Sequence, residues 1–178
     1  MSSIKENQFS EKELIIEIKN DNRNAFQTLF YSYYKKLLDF SLYRTRDLET
    51  SKDLVQEVFS NIWDGRDRLD PTKSIKSYLY KSLTNQIINL AKHSSSKTFP
   101  LNDSISHLVN SDANSLENSI DLFSAIEELP VKLKTVFMLS RIEGFKYSEI
   151  AEICDISVKA VEKRMTKALK FLRKKIGE

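Results

Sequence analysis

Cysteine, glycine and proline are scarce in this chain of 178 residues: one Cys, three Gly and three Pro. A single cysteine, Cys154, excludes an internal disulfide framework and fits a reducing cytoplasm. Its place on the apolar side of a turn reads as core packing and not as a reactive thiol. Gly65, Gly144 and Gly177 stand too far apart for a glycine-rich phosphate loop. The only histidines, His93 and His107, lie in a polar segment, and no Cys/His cluster has the spacing of a zinc site. The opening stretch MSSIKENQFSEKEL has no apolar run that predicts a signal peptide, and no later run is long enough to predict a membrane span. Asp and Glu alternate with Lys along the chain, as surface charges do. These absences predict a protein that is not an enzyme, has no metal or other cofactor and takes no small-molecule substrate.

Apolar residues make up 40% of the chain and charged residues 30%, the balance of a water-soluble protein. The length allows one or two domains. Few helix breakers and a period of 3.6 through most of the chain predict an all-α fold. The most informative stretch is Lys146 to Lys175. Ile150, Ala151 and Ile153 give a first helix an apolar side, and small Ala151 allows a close crossing. Cys154-Asp155-Ile156 reads as the turn, because Asp tolerates a left-handed backbone. Ser157 then reads as an N-cap. Val158, Val161, Met165, Ala168 and Leu172 recur at steps of three and four, one face of a second helix.

The opposite face of that second helix is basic. From Ser157 to Glu178 there are eight basic residues and two acidic ones, while the whole chain carries +3, so the rest is net negative. A helix fits the DNA major groove, and Lys and Arg bind phosphates by releasing counterions. A solvated basic helix has the same charge. The turn, the cap and the small residue together are what helix-turn-helix geometry requires.

Upstream the chain divides by composition. Residues 1–12 are polar and read as frayed. A short helix is expected from Leu14 to Lys19, broken at Asn20-Asp21. A second, capped by Asp21 or Asn24, is expected from Ala25 to Tyr43, with Phe26, Leu29, Phe30, Tyr33, Leu37 and Phe40 inward. A third, from Ser51 to Trp63 with Thr50 as cap, buries Leu54, Val55, Val58, Phe59, Ile62 and Trp63 and ends on Gly65 as a left-handed cap. Its outer face, Asp53, Gln56, Glu57, Ser60, Asn61 and Asp64, has no Lys after Lys52. That face reads equally as a docking ridge for a basic partner or as plain solvated surface. A loop, Arg66 to Ser74, turns at Asp70-Pro71. A fourth helix, Ile75 to Lys92, buries Ile75, Leu79, Leu83, Ile87 and Leu90. Its other side mixes Lys73, Lys76, Tyr78, Tyr80, Lys81, Asn85, Gln86 and Asn89. Cations among rings and amides suit single-stranded nucleic acid, although taken alone this helix is better read as a basic surface with amphipathic tyrosines.

Residues 93–118 are serine-rich, lack a period and read as a polar linker. Residues 119–178 read as a second small helical domain after the first at 1–92. Ile120, Phe123, Ile126 and Leu129 mark one helix. Pro130 opens the next, which has Leu133, Val136, Phe137 and Ser140 inward and closes at Gly144. The helix-turn-helix follows.

In this order the parts resemble an RNA polymerase sigma factor of the extracytoplasmic-function (ECF) type, in the sigma-70 superfamily. The residues that carry the resemblance are Ala25-Phe26 with Leu29 and Tyr33, DLVQEVFSNIW (Asp53 to Trp63), SIKSYLYKSLTNQIIN (Ser74 to Asn89), AIEELP (Ala125 to Pro130) and SEIAEICDISVKAVEKRMTKAL (Ser148 to Leu169). The resemblance implies a first domain that binds core polymerase and the minus-ten promoter element. Asp53, Gln56, Glu57 and Trp63 would dock on the coiled-coil clamp of the largest polymerase subunit. The loop Arg66 to Ser74 and the helix after it would capture a flipped non-template base, with Lys73, Tyr78, Lys81 and Asn85 in contact. The linker would thread toward the polymerase active site and RNA exit. The second domain would read the minus-thirty-five element through Ser157, Lys159, Ala160, Lys163, Arg164 and Lys167.

The chain departs from the family pattern at Lys146, where a Ser or Thr cap is frequent, and at Asp155, where Gly or Asn is. Ala160 stands for a frequent Thr, leaving an apolar contact to a thymine methyl. Tyr78 and Asn89 stand where Trp and Asp are common. Implied partners are core RNA polymerase, promoter DNA and a membrane-bound anti-sigma factor. The implied place is the cytoplasm, on the nucleoid when active or held at the inner membrane. The alternative is a stand-alone helix-turn-helix repressor or activator with a helical sensor at 1–92, which binds its operator as a dimer. The chain shows no dimer heptad to support it. A nucleic-acid enzyme would need an acid/base dyad or a metal site, and none is found.

Overall fold

The computed structural model describes residues 9–93, Leu122 and 124–176. Among them are seven bounded α-helices, a further helical stretch at 124–127, one 3-10 turn and no strand, the all-α class expected from the sequence. The chain divides into two compact units, Met1–Leu42 with Glu49–Lys97, and Tyr43–Leu48 with Thr98–Glu178. Of the serine-rich stretch 93–118 only His93 is described, and Ile120 and Phe123 also lie outside the described residues.

Helix α1, Glu11–Lys19, starts three residues before the expected position. Ser10 and Glu13 form a reciprocal cap. Ser10 Oγ accepts from the Glu13 amide at 3.3 Å, and Glu13 Oε2 accepts from the Ser10 amide at 2.8 Å. The backbone bond to Ser10, then its hydroxyl, holds the Glu13 carboxyl below its ordinary range. The Ser-x-x-Glu spacing for this was present in the sequence. Leu14, Ile15 and Ile18 are buried.

Helix α2, Arg23–Thr45, is capped by neither Asp21 nor Asn24. Asn22 Oδ1 accepts from the Asn24 amide at 3.0 Å and the Ala25 amide at 3.3 Å, while Asp21 takes a left-handed turn at φ 62°. Helix α3, Leu48–Asp64, packs on α2 through aromatic rings. Phe59 stands edge-on to Phe26 at 6.2 Å and tilted against Phe30 at 4.8 Å. Because α3 begins at Leu48, Thr50 lies inside it and Ser51 is buried, so Thr50 is not the cap.

Gly65 is not left-handed: φ is −98°. The chain continues into a 3-10 turn, Arg66–Arg68, so no reversal is needed. Glycine suits the position for lack of a Cβ, which would stand 3.0 Å from the Asn61 carbonyl oxygen. Helix α4, Ile75–His93, buries Ile75, Leu79, Leu83 and Ile87, with Leu90 half-buried. Tyr80, expected on the polar side, is fully buried against the edge of Phe40 at 5.3 Å. It follows Leu79 and precedes Leu83 by three, so it widens the apolar stripe.

In the second unit, Ile126 and Leu129 are buried before Pro130, which stands at the N-cap of helix α5, Val131–Arg141. Val136, Phe137, Met138 and Leu139 are buried, whereas Leu133 and Ser140 are only half-buried. Two helices cover α5, so its buried face is wider than a single stripe. They are α6, Tyr147–Cys154, and α7, Val158–Ile176. Gly144, at φ 74°, reverses the chain between α5 and α6, and the Phe145 amide reaches back to the Leu139 carbonyl at 3.0 Å. Lys146 lacks a capping hydroxyl, but Glu149 Oε2 accepts from its amide at 2.7 Å and starts α6 from the other side.

Asp155 ends α6 in the left-handed region at φ 52°, as expected for the turn. Ser157 Oγ accepts from the Ala160 amide at 3.2 Å and caps α7. Val161, Met165, Ala168 and Leu172 are buried, but Val158 is 42% exposed at the head of the helix. The Cβ of any residue replacing Gly144 would meet open space, so only the backbone penalty remains. Gly144→Ala should therefore destabilise the protein by about 1–2 kcal/mol, read as a lower midpoint in urea by circular dichroism.

Candidate polymerase and nucleic-acid interfaces

Three surfaces carry the residues singled out in the sequence. The first is the outer face of α3. Asp53, Gln56, Glu57, Ser60, Asn61 and Asp64 are all exposed, each three or four residues from another of the set, and so share one face. Ser51, Leu54, Val55, Val58, Phe59 and Ile62 hold the opposite face in the core. Lys52 pairs with Glu49 at 2.8 Å, which leaves the ridge below it acidic and amide-bearing. Trp63 does not share this ridge. It is half-buried and leans on Phe26 at 5.0 Å, with the Arg66 guanidinium 4.7 Å above its ring. Arg66 Nη1 also donates to the Trp63 carbonyl at 2.7 Å, and its Nε pairs with Asp21.

The second surface surrounds a cavity of about 140 Å³ between α1, the loop 66–74 and the start of α4. Ile15, Arg68, Leu69, Asp70, Lys73, Ser74, Ile75 and Tyr78 line it. It has room for several waters at about 30 Å³ each, and none for a helix. Lys73 and Tyr78, the latter 48% exposed, stand at this cavity. Lys81 and Asn85 are exposed further along the same side of α4. The loop tip is a closed turn. Asp70 Oδ1 accepts from Thr72 Oγ1 at 2.7 Å and from its amide at 2.9 Å, and the Lys73 amide bonds the Asp70 carbonyl at 3.0 Å. The Thr72 hydroxyl, then its amide, lowers the pKa of the Asp70 carboxyl. An anion at the rim accepts hydrogen bonds, so the cavity offers both a cation and an acceptor to a polar ring. Sequence reasoning missed Ile15, because nothing local ties α1 to a loop some fifty residues on, whereas Arg68 and Asp70 belong to the loop it named but not to the contacts it chose.

The third surface is the basic side of α7. Lys159, Lys163 and Lys167 are exposed at steps of four, and Ala160 and Arg164 are half-buried beside them. Exposed Ser157 caps the helix start. Val158, with Ile156 and Ser157, borders a shallow groove at the turn. It was expected in the core, but it precedes the first covered turn of the helix. Lys175, at the far end, pairs with Glu128 instead. Among the described residues no cluster of His, Cys, Asp or Glu is arranged to hold a metal, and no helix is long and apolar enough to cross a membrane.

Comparison with known proteins identifies the family. Residues 29–96 match Sigma-70 region 2, and residues 119–172 match Sigma-70, region 4. RNA polymerase sigma factor SigV of Bacillus subtilis is 27% identical over 162 residues, 91% of this chain and 90% of its own length. ECF RNA polymerase sigma factor SigW of the same species is 25% identical over 181 residues, 94% of this chain and 97% of its own. The fold is shared with sigma factor RpoE of Bartonella quintana, solved with the anti-sigma factor NepR. That match has a TM-score of 0.69 and 20% identity, and covers 85% of this chain and 96% of that one. This chain belongs to the sigma-70 family of RNA polymerase sigma factors and is of the ECF type.

Trp63 is the only tryptophan of the chain and therefore a local probe. Arg66→Ala removes the guanidinium above its ring and opens that face to water. Its fluorescence emission should move to longer wavelength with little change in helix content. Unchanged emission would mean that Arg66 does not cover the ring in solution.

Proposed function

We propose that this alternative sigma factor divides initiation among its three surfaces. It binds core RNA polymerase and directs promoter-specific transcription. The finer assignment is ours: the first domain, residues 1–92, docks on the polymerase clamp and opens the minus-ten element, and the second, residues 119–178, reads the minus-thirty-five element. The single observation that carries the docking assignment is the α3 ridge. Asp53, Gln56 and Glu57 lie on one exposed face of a helix whose other face is locked in the core. An acidic, amide-bearing ridge of this kind complements a basic coiled coil. Trp63 contributes by fixing the end of α3 through Phe26 and Arg66.

The cavity beside Lys73 and Tyr78 supports base capture. Unstacking a base costs a few kcal/mol, and ring stacking with hydrogen bonds in a pocket offsets it. Lys81 and Asn85 continue that face along α4 and follow the strand. On α7, Lys159, Lys163 and Lys167 meet phosphates, while Ser157, Ala160 and Arg164 face base edges or the backbone at the helix head. A stand-alone repressor is not favoured, because residues 29–96, its supposed sensor, match a sigma region. A membrane-bound anti-sigma factor is the regulator we infer, supported by the similar fold solved with an anti-sigma factor. The protein then works in the cytoplasm, on the nucleoid once released.

Gel filtration with purified core polymerase tests the docking assignment. Wild type should co-elute with core. Gln56→Ala combined with Glu57→Ala should weaken that complex about tenfold or more while leaving minus-thirty-five binding by the second domain intact. Equal affinity of the double variant would remove the ridge from the docking site. At the DNA, an Arg164→Ala change that breaks a base contact should cost about 1–3 kcal/mol and relax one promoter position. A Lys163→Ala change that breaks a phosphate contact should weaken all sequences alike and lower the salt slope by about one. Competition binding on promoter variants at several salt concentrations separates the two.

A further inference from the structure

Helix α1 and the turn after it precede the residues matched to sigma-70 region 2. Three of their polar side chains nevertheless end on the loop 66–74 or on the helix start that follows it. Lys19 Nζ donates to the Asp67 carbonyl at 2.8 Å and to the Leu69 carbonyl at 2.6 Å. Glu11 Oε1 accepts from the Ile75 amide at 2.7 Å, Ser74 Oγ at 3.1 Å and the Lys76 amide at 3.4 Å. Asp21 pairs with Arg66 at the mouth of the loop.

The chemistry of these contacts is complementary. The carbonyls around the end of the 3-10 turn present partial negative charge, and Lys19 brings a cation to them. The amides that open α4 present partial positive charge, and Glu11 brings an anion. Glu11, Ile15 and Lys19 stand at steps of four, one face of a helix. Ile15, almost fully buried, lines the cavity with Leu69 and Ile75 as its apolar part. The bonds within the loop, from Thr72 and Lys73 to Asp70, close its tip. The bonds from α1 set where that tip stands against Tyr78.

We propose that α1 is the frame of the base-reading cavity, with Lys19 and Glu11 as positioning residues that determine which minus-ten bases it accepts. This rests on the assignment of the loop to minus-ten capture. The two side chains touch no DNA. They fix the loop backbone and the first turn of α4, and a pocket discriminates only as sharply as its walls are held.

The test uses full-length variants reconstituted with core polymerase. Each holoenzyme transcribes a pool of duplexes randomised through both promoter elements, and the productive templates are sequenced. Lys19→Met keeps the side-chain stem and removes the donors. It should lower base preference at minus-ten positions about tenfold. Preference at minus-thirty-five positions, read in the same reaction, should hold. Lys19→Arg, which retains a charged donor, should restore most of the loss. Lys12→Met, an exposed change on the same helix, should match wild type. Asp21→Asn should give a smaller loss, about threefold, and keeps the test open if Lys19→Met does not fold. Unchanged minus-ten preference in Lys19→Met, or in Asp21→Asn if the former is unfolded, overturns the proposal. So does an equal loss at both elements, which marks general damage. Wild type with preference only at minus-thirty-five would instead remove the loop from minus-ten capture, and this proposal with it.

Discussion

The packing of α3 on α2 is the constraint on which the first unit depends. Phe59 meets Phe26 and Phe30, and Trp63 closes the same cluster against Phe26. Rings this large bury much apolar area and prefer edge-on or offset contacts, so the cluster resists rotation of either helix. A turn of α3 by one residue would carry Phe59 into water and Glu57 into the core, or, in the other sense, Val58 out and Gln56 in. Burial of one face therefore determines the aspect of the other. The acidic ridge takes its bearing from the buried face behind it.

The same logic holds where regular structure gives way to loops. The chain after α3 has a 3-10 turn, a tight tip at Asp70 and then α4. Such a path has few backbone bonds to other elements and needs outside support. Lys19 supplies it to the carbonyls and Glu11 to the amides. In the second unit the support is local. Gly144 and Asp155 take left-handed conformations, and Ser157 and Glu149 reach nearby amides. The loop surface of the first unit thus depends on a distant helix, and the basic helix of the second on its own turns.

Much of this was legible in the residues. The turn at Asp155, the cap at Ser157, the buried steps of α7 and the two faces of α3 follow from period and turn chemistry alone. The errors have physical causes. Ser10 and Glu13 start α1 by a reciprocal cap, which outweighed the polarity of the segment. Asn22 took the cap of α2 because Asp21 was committed to a left-handed turn and to Arg66. Gly65 is there for closeness to Asn61 and not for its backbone angle. Tyr80 and Val158 show that period assigns a face but not the width of what covers it. The hold of α1 on the loop was not legible at all, since a salt bridge or a carbonyl contact across some fifty residues leaves no spacing to read.

The proposed division of surfaces, two for DNA and one for the polymerase, requires that this chain change where the polymerase begins. The direct measurement is a map of transcript 5′ ends made by purified core polymerase on one genomic DNA, with and without the protein. A set of starts should appear only when the protein is present, each preceded by the same two sequence elements at constant spacing. An identical set of starts in both reactions would contradict it.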